Sequence, residues 1–166
     1  MDLVKTLGSL DHTPLATWVQ ADMLAFPGLE AAHVISVMLV FGSIAMLDLR
    51  LLGVSSRNFG VIKISDEVLP WTWASFLVAA VTGTLLFIGQ ATAYLNNNEF
   101  KIKMILLALA GINLAVFHFF TWSKVKNWND GVPTPISAKA AAILSLTLWT
   151  GVVIAGRWIG WTLTSF

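Results

Sequence analysis

The chain has 166 residues, of which 57% are hydrophobic and only 11% charged. A soluble domain carries roughly a quarter charged residues, so an ordinary soluble fold is excluded. A net charge of +1 without a Lys/Arg run excludes a nucleic-acid-binding face. The absence of cysteine excludes disulfides, thiolate metal sites and covalent c-type haem attachment.

The opening MDLVKTLGSLDHTP has no basic segment followed by an apolar one. No cleavable signal is therefore expected, and the first span acts as its own insertion signal. A short helix over about residues 14–26 comes next, capped by Thr13 with Pro14 at its first position. Leu15, Trp18, Val19 and Phe26 alternate with Thr17, Gln20 and Asp22, a pattern suited to lying on a membrane surface. An irregular linker is the plainer reading.

Four apolar stretches follow, each near or above the about 20 residues a span requires. The first covers about 28–52 and is opened by Pro27. The second covers about 68–94, with Pro70 in its first turn, where the missing N–H costs little, and Asn96-Asn97-Asn98 ends it. The third covers about 100–122, and the fourth about 137–163, after the turn-rich NDGVPTP. Eight Trp and ten Phe against one Tyr suit lipid-facing and interfacial surfaces. Short connections make neighbouring helices antiparallel. The expectation is one all-α integral membrane domain over 1–166, a four-transmembrane-helix bundle preceded by a short interfacial amphipathic helix.

Arg50, Arg57 and Lys63 lie in the first loop, and Lys124, Lys126 and Lys139 in or beside the third. The opposite side holds Lys5, Lys101, Lys103 and Arg157 together with Asp2, Asp11, Asp22 and Glu30. The positive-inside bias then places the first and third loops in the cytoplasm and both termini in the periplasm of a bacterial inner membrane.

Only His33 and His118 bring imidazoles into the spans, and an intramembrane ionisable group is a functional hypothesis by default. His33 lies five residues past Gly28, and His118 about four residues from the other end of its helix. Their expected separation is roughly 15–20 Å along the membrane normal, too far to share one iron. Met104 lies at a depth where a thioether would oppose His33. Lys103 and Arg157 are placed to bind carboxylates such as haem propionates. Met46, Asp48, Arg50, Trp71, Thr72 and Trp122 share the level of His118. Either histidine also has the option of meeting its copy in another subunit.

Met104, Ala108, Gly111, Ala115, His118 and Trp122 recur at three- and four-residue steps, a stripe suited to close packing or to a flat macrocycle. Gly83, Gly156 and Gly160 offer similar low points. Asn113, in mid-span, needs an interior partner. Plainer readings stand beside these. Each histidine can hold helices together by hydrogen bonding, and Glu30 is spaced to pair with His33. Asp48 and Arg50 can form a helix-end pair, Arg157 can snorkel, and His12 reads as a surface residue. No GxSxG, HExxH, Walker or dinucleotide fingerprint is present.

The segments FPGLEAAHVISVMLVFGSIAMLDLRLLG, NNEFKIKMILLALAGINLAVFH and SLTLWTGVVIAGRWIG together resemble a family of small bacterial four-helix membrane proteins of unknown function. More loosely, His33 early in the first span and the F-K-x-K-x-x-L-x-x-L-A-G-x-N segment resemble CopD-type membrane domains and transmembrane b-type cytochromes. That likeness implies haem or metal binding by His33 and His118. The chain departs from four-helix di-haem cytochromes in lacking two histidines at each level.

The leading expectation is a membrane-embedded electron carrier binding haem b, in an oligomer or a redox complex, a role favoured over that of a stand-alone enzyme. His33 and His118 would supply axial imidazoles, with Lys103, Arg157, Met104 and Met46 completing the cofactor surroundings. The alternatives are a small-solute or metal transporter using His33, Asn113 and Asp48 as a polar path, and a non-catalytic accessory subunit.

Overall fold

The computed structural model describes residues 7–56, 58–129 and 132–163. After a 3-10 turn at Ser9–His12 come α1 (Pro14–Ala21), α2 (Ala25–Leu52), α3 (Val61–Gly89), α4 (Ala91–Asn96), α5 (Asn98–Val116) and α6 (Ile136–Leu163). Beyond α5 the chain continues through a π-helical turn, Phe117–Thr121, and a 3-10 segment, Trp122–Asn127. There are no strands among the described residues. Four helices are long and apolar enough to cross a membrane: Ala25–Leu52, Val61–Gly89, Asn98–Asn127 and Ile136–Leu163. The end of the bundle carrying α1 and α4 is called the terminal end below. The end carrying Leu52, Val61 and Ile136 is the loop end.

Each long helix is longer than its span. Twenty-eight residues make about 42 Å of helix against about 30 Å of hydrocarbon. The second long helix begins ahead of its apolar stretch. α3 begins at Val61, not 68, and the exposed Lys63, Asp66 and Glu67 let its first turns form outside the apolar layer. Pro70 therefore falls inside the helix and not in its first turn. It deprives the Asp66 carbonyl of its helical donor, a loss tolerable where Asp66 is exposed. At the other end, Gln90 (φ −147°, ψ 48°) breaks the helix, and residues 91–96 form the separate α4. Asp11 accepts the free N–H groups of Ala91 and Thr92 at the start of α4.

α1 is shorter than the expected 14–26. Asp22 leaves the helical region (ψ 124°), and its Oδ1 accepts from the N–H groups of Leu24 and Ala25, both at 2.9 Å. α2 can then start at Ala25 with Pro27 in its first turn. α1 is capped by Thr13 Oγ1, 3.2 Å from the Ala16 nitrogen. Its buried face, Ala16 and Val19, docks on the end of α3. A Cβ at Gly89 would come 2.8 Å from Val19 Cγ1, so this approach requires glycine.

The π turn explains why α5 does not run evenly to 122. Residues five apart lie on different faces of an α-helix, whereas i→i+5 geometry brings them together. Phe117 and Trp122 thereby share one side, with ring centroids 6.0 Å apart. Both pack on the loop-end core of Leu51, Val61, Val125, Trp128, Ala138 and Ala142.

α2 and α3 form the longest seam. On α3, Ser75, Ala79, Thr82, Leu86 and Gly89 are buried at alternating four- and three-residue steps, the spacing of left-handed knobs-into-holes packing. On α2, Ser36 and Val40 are buried, and across the seam Thr72 Oγ1 donates to Ser43 Oγ at 2.8 Å. α5 packs on α6, where Asn113 Nδ2 donates to the Ala141 carbonyl at 3.0 Å. α2 closes the bundle against α6. The backbones of α3 and α5 scarcely meet; Phe87 and Phe100 stack across that gap, 14° from parallel.

Candidate functional site

At the terminal end, the α2–α3 seam carries His33 toward α5. Its Nδ1 lies 2.9 Å from the Ala79 carbonyl oxygen and 3.2 Å from Thr82 Oγ1. A carbonyl only accepts, so Nδ1 bears the hydrogen and Nε2 presents its lone pair. Nε2 is 3.3 Å from Lys103 Nζ of α5. The lysine donates and the imidazole accepts.

Three glycines make room for this arrangement. A Cβ at Gly83 would stand 2.8 Å from His33 Cε1 and 3.2 Å from Nδ1. The Lys103 side chain crosses Gly156, with Nζ 3.6 Å from where a Cβ would stand. One helical turn further along α6, Gly160 faces Glu30, whose Oε1 is 3.9 Å from the corresponding point. Each backbone low point seats an ionisable side chain. Tyr94 of α4 packs beside them against Phe87 and Phe100, at centroid distances of 6.2 and 5.2 Å. Burial pushes its hydroxyl above the usual tyrosine range, and the Glu30 carboxylate adds to that.

The electrostatics follow from the contact. Both members of the couple are bases. Protonating both would set two cations 3.3 Å apart in a poorly screened interior. The couple therefore holds at most one positive charge, and when it holds one, the proton can sit on either nitrogen without the imidazole turning over.

The family of unknown function DUF6644 matches residues 22–162. The chain belongs to that family. No curated protein and no solved structure matches, and a tie to CopD-type domains or b-type cytochromes is not among what the comparisons show. The matched stretch contains every member of the cluster just described.

In this DUF6644 member, only part of the expected cofactor set is brought together. His33 and Lys103 touch. Met104, the residue after Lys103, is 48% exposed on the outer surface of α5. Arg157, next to Gly156 in the chain, is likewise exposed. His118 is exposed on the π turn, its ring edge-on to Phe119. Met46 is exposed and lines a shallow recess with Phe59, Lys63 and Glu67. Ala108, Gly111 and Ala115, the small-residue stripe, face outward, and a Cβ at Gly111 would meet nothing within 4 Å. Among the described residues no three His, Asp or Glu side chains converge as a metal site would need.

Two expected pairs are replaced. Glu30 does not pair with His33, because α3 and α5 satisfy both ring nitrogens. Asp48 and Arg50 do not pair either. Arg50 Nε donates to the Phe59 carbonyl at 2.8 Å, and the Asp48 carboxyl meets Ser145 of α6. Sequence reasoning did not find the Thr82-Gly83 step, a hydroxyl beside a missing side chain, which is the local signal for the imidazole seat. Sequence reasoning assigned Tyr94 no role.

Proposed function

We propose that this chain is a proton-linked membrane transport protein, working as an oligomer, with the His33–Lys103 couple as the group whose protonation drives the step. The observation that carries this reading is the 3.3 Å contact between two bases on different helices, which leaves room for no more than one charge. Moving the proton from lysine to imidazole relocates the charge from α5 to α2. The Nδ1 hydrogen bond to Ala79 continues to hold the ring. Such a group responds to a proton gradient and biases the fit between helices. Vesicles containing the protein and a pH-sensitive dye should dissipate an imposed gradient faster than protein-free vesicles. His33→Ala and Lys103→Met should each abolish the excess rate. Wild-type vesicles no leakier than empty ones would overturn the reading. Variants that change assembly while leaving flux intact would support an accessory, packing role.

The haem expectation meets the same residues and fits them poorly at His33. An axial ligand needs a lone pair facing open space. Here Nδ1 is donating, Nε2 is capped by the lysine, and Gly83 closes one side of the ring. His118 is accessible on the π turn. It lies fifteen residues along the chain from Lys103, about 22 Å, at the opposite end of the bundle from His33. That separation is the one feature favouring the haem reading. A Soret band in protein from haem-replete cells, lost in His118→Ala, would establish it. Its absence after hemin addition would remove it.

A further inference from the structure

Fifteen residues along α2 from His33, Asp48 is only 6% exposed, and its Oδ2 has no hydrogen-bond partner. The carboxyl is met on one side by Ser145 of α6. Its surroundings among the described residues offer no counter-charge. On its own helix, Arg50 is committed to the Phe59 carbonyl. On α3, Ile64 and Ser65 are buried at this level, while Lys63 is turned out over the Phe59 ring, 5.2 Å from its centroid, and Glu67 is exposed. On α6, Ala142 and Leu148 flank Ser145, and Lys139 is exposed nearer the loop end. Lys124 and Lys126 of the 3-10 segment are exposed as well.

An isolated carboxylate in such a place is far costlier than a neutral acid, and a buried group resolves the cost by taking up a proton. The acid form also accounts for the orphan oxygen. With the proton on the oxygen facing Ser145, the acid hydroxyl donates to Ser145 Oγ. Oδ2 is then an uncharged carbonyl oxygen, the least expensive group to leave unpaired. Asp48 is four residues from the end of α2 at Leu52, about 6 Å along the axis, so loop-end water is the nearby proton source.

We infer that Asp48 is a proton-binding site, held in the folded bundle as a neutral carboxylic acid and reactive toward a hydrophobic carbodiimide. In that reaction the acid O–H adds across a carbodiimide C=N bond, and the adduct rearranges to a stable N-acylurea with no group lost. The inference stands on Asp48 alone and holds whether or not the protein carries protons across vesicles.

Infrared spectra of wild type and Asp48→Asn in lipid at neutral pH test it directly. The wild type should show a protonated-carboxyl C=O band that the variant lacks. Loss of carboxylate bands instead would overturn the assignment. Should the variant fail to fold, dicyclohexylcarbodiimide treatment of the wild type followed by peptide mass analysis decides the matter. An adduct on Asp48 is expected, and a water-soluble carbodiimide should leave that residue untouched. Labelling confined to exposed acids such as Asp66 and Glu67 would sink the proposal.

Discussion

Glycine, as much as histidine, shapes the polar cluster. Gly83 sits where a methyl group would press on the His33 ring, whereas nothing lies within 4 Å of the corresponding points at Gly42 and Gly111. Alanine in a helix gains about 0.5–1 kcal/mol over glycine, and crowding a packed contact costs about 1–3 kcal/mol. Gly83→Ala should therefore destabilise the protein, and Gly42→Ala and Gly111→Ala should leave it unchanged or slightly firmer. Thermal unfolding in detergent compares the three. The position of His33 was legible from its chain context. Its seat was not, because Ala79, Thr82 and Lys103 lie 46 to 70 residues away.

Tyr94 gives a second test at this scale, since it is the only tyrosine and its phenolate absorbance can be titrated without ambiguity. Burial, then Glu30, raises its pKa in the folded protein. The folded state thus holds the proton more tightly than the unfolded one. Stability from this source is full below the unfolded value of about 10 and is lost as pH rises through the folded value. The absorbance midpoint should lie above the ordinary tyrosine value and fall in Glu30→Gln. Tyr94→Phe should remove this part of the alkaline loss of stability. An unshifted midpoint would show that the ring is wetter than its packing implies.

Among the elements, α1 is the one whose attachment rests on few residues. Val19 and Ala16 are fully buried, Gln20 donates to the Gly89 carbonyl, and Asp11 caps α4. Val19→Asp would place an unpaired carboxylate in that contact. Rapid proteolysis near residue 22, with the four spans intact, is the expected result; an unchanged digest would mean that α1 is held by something else. At the start of α5, Asn97 Oδ1 accepts from Phe100 N at 2.8 Å while its amide donates to Thr162 at 2.7 Å. Asn97→Ala should cost about 1 kcal/mol for the cap and loosen the end of α6, readable as faster hydrogen exchange there. The Thr13 cap of α1 could be read from the chain order. The breaks at Asp22 and Gln90 could not, because they are settled by what the neighbouring residues contact and not by propensity alone.

For the molecule as a whole, the outward surface of the bundle is apolar along all four long helices. Ile112, 60% exposed at the middle of the Asn98–Asn127 helix, faces whatever surrounds the protein. A lysine at the centre of a span adds about 2.5–3.5 kcal/mol to insertion. Ile112→Lys should therefore lower the inserted fraction of that helix in a glycosylation-mapping assay, and a lysine at the already charged Lys101 level should not. Equal insertion of both would mean that this face is not in lipid.

Composition and four long apolar runs were enough to determine that the chain is a helical membrane protein, because burial in hydrocarbon acts on each span separately and needs no knowledge of its neighbours. The interior partner demanded by Asn113 followed from the same local rule. Tertiary structure alone decided which ionisable groups meet. It turned Lys103 inward to His33 and Met104 outward, left Arg157 on the surface, and isolated Asp48 from every cation described. Those outcomes depend on the rotation of each helix about its own axis. Packing against other helices sets that rotation, and no single stretch of sequence encodes it.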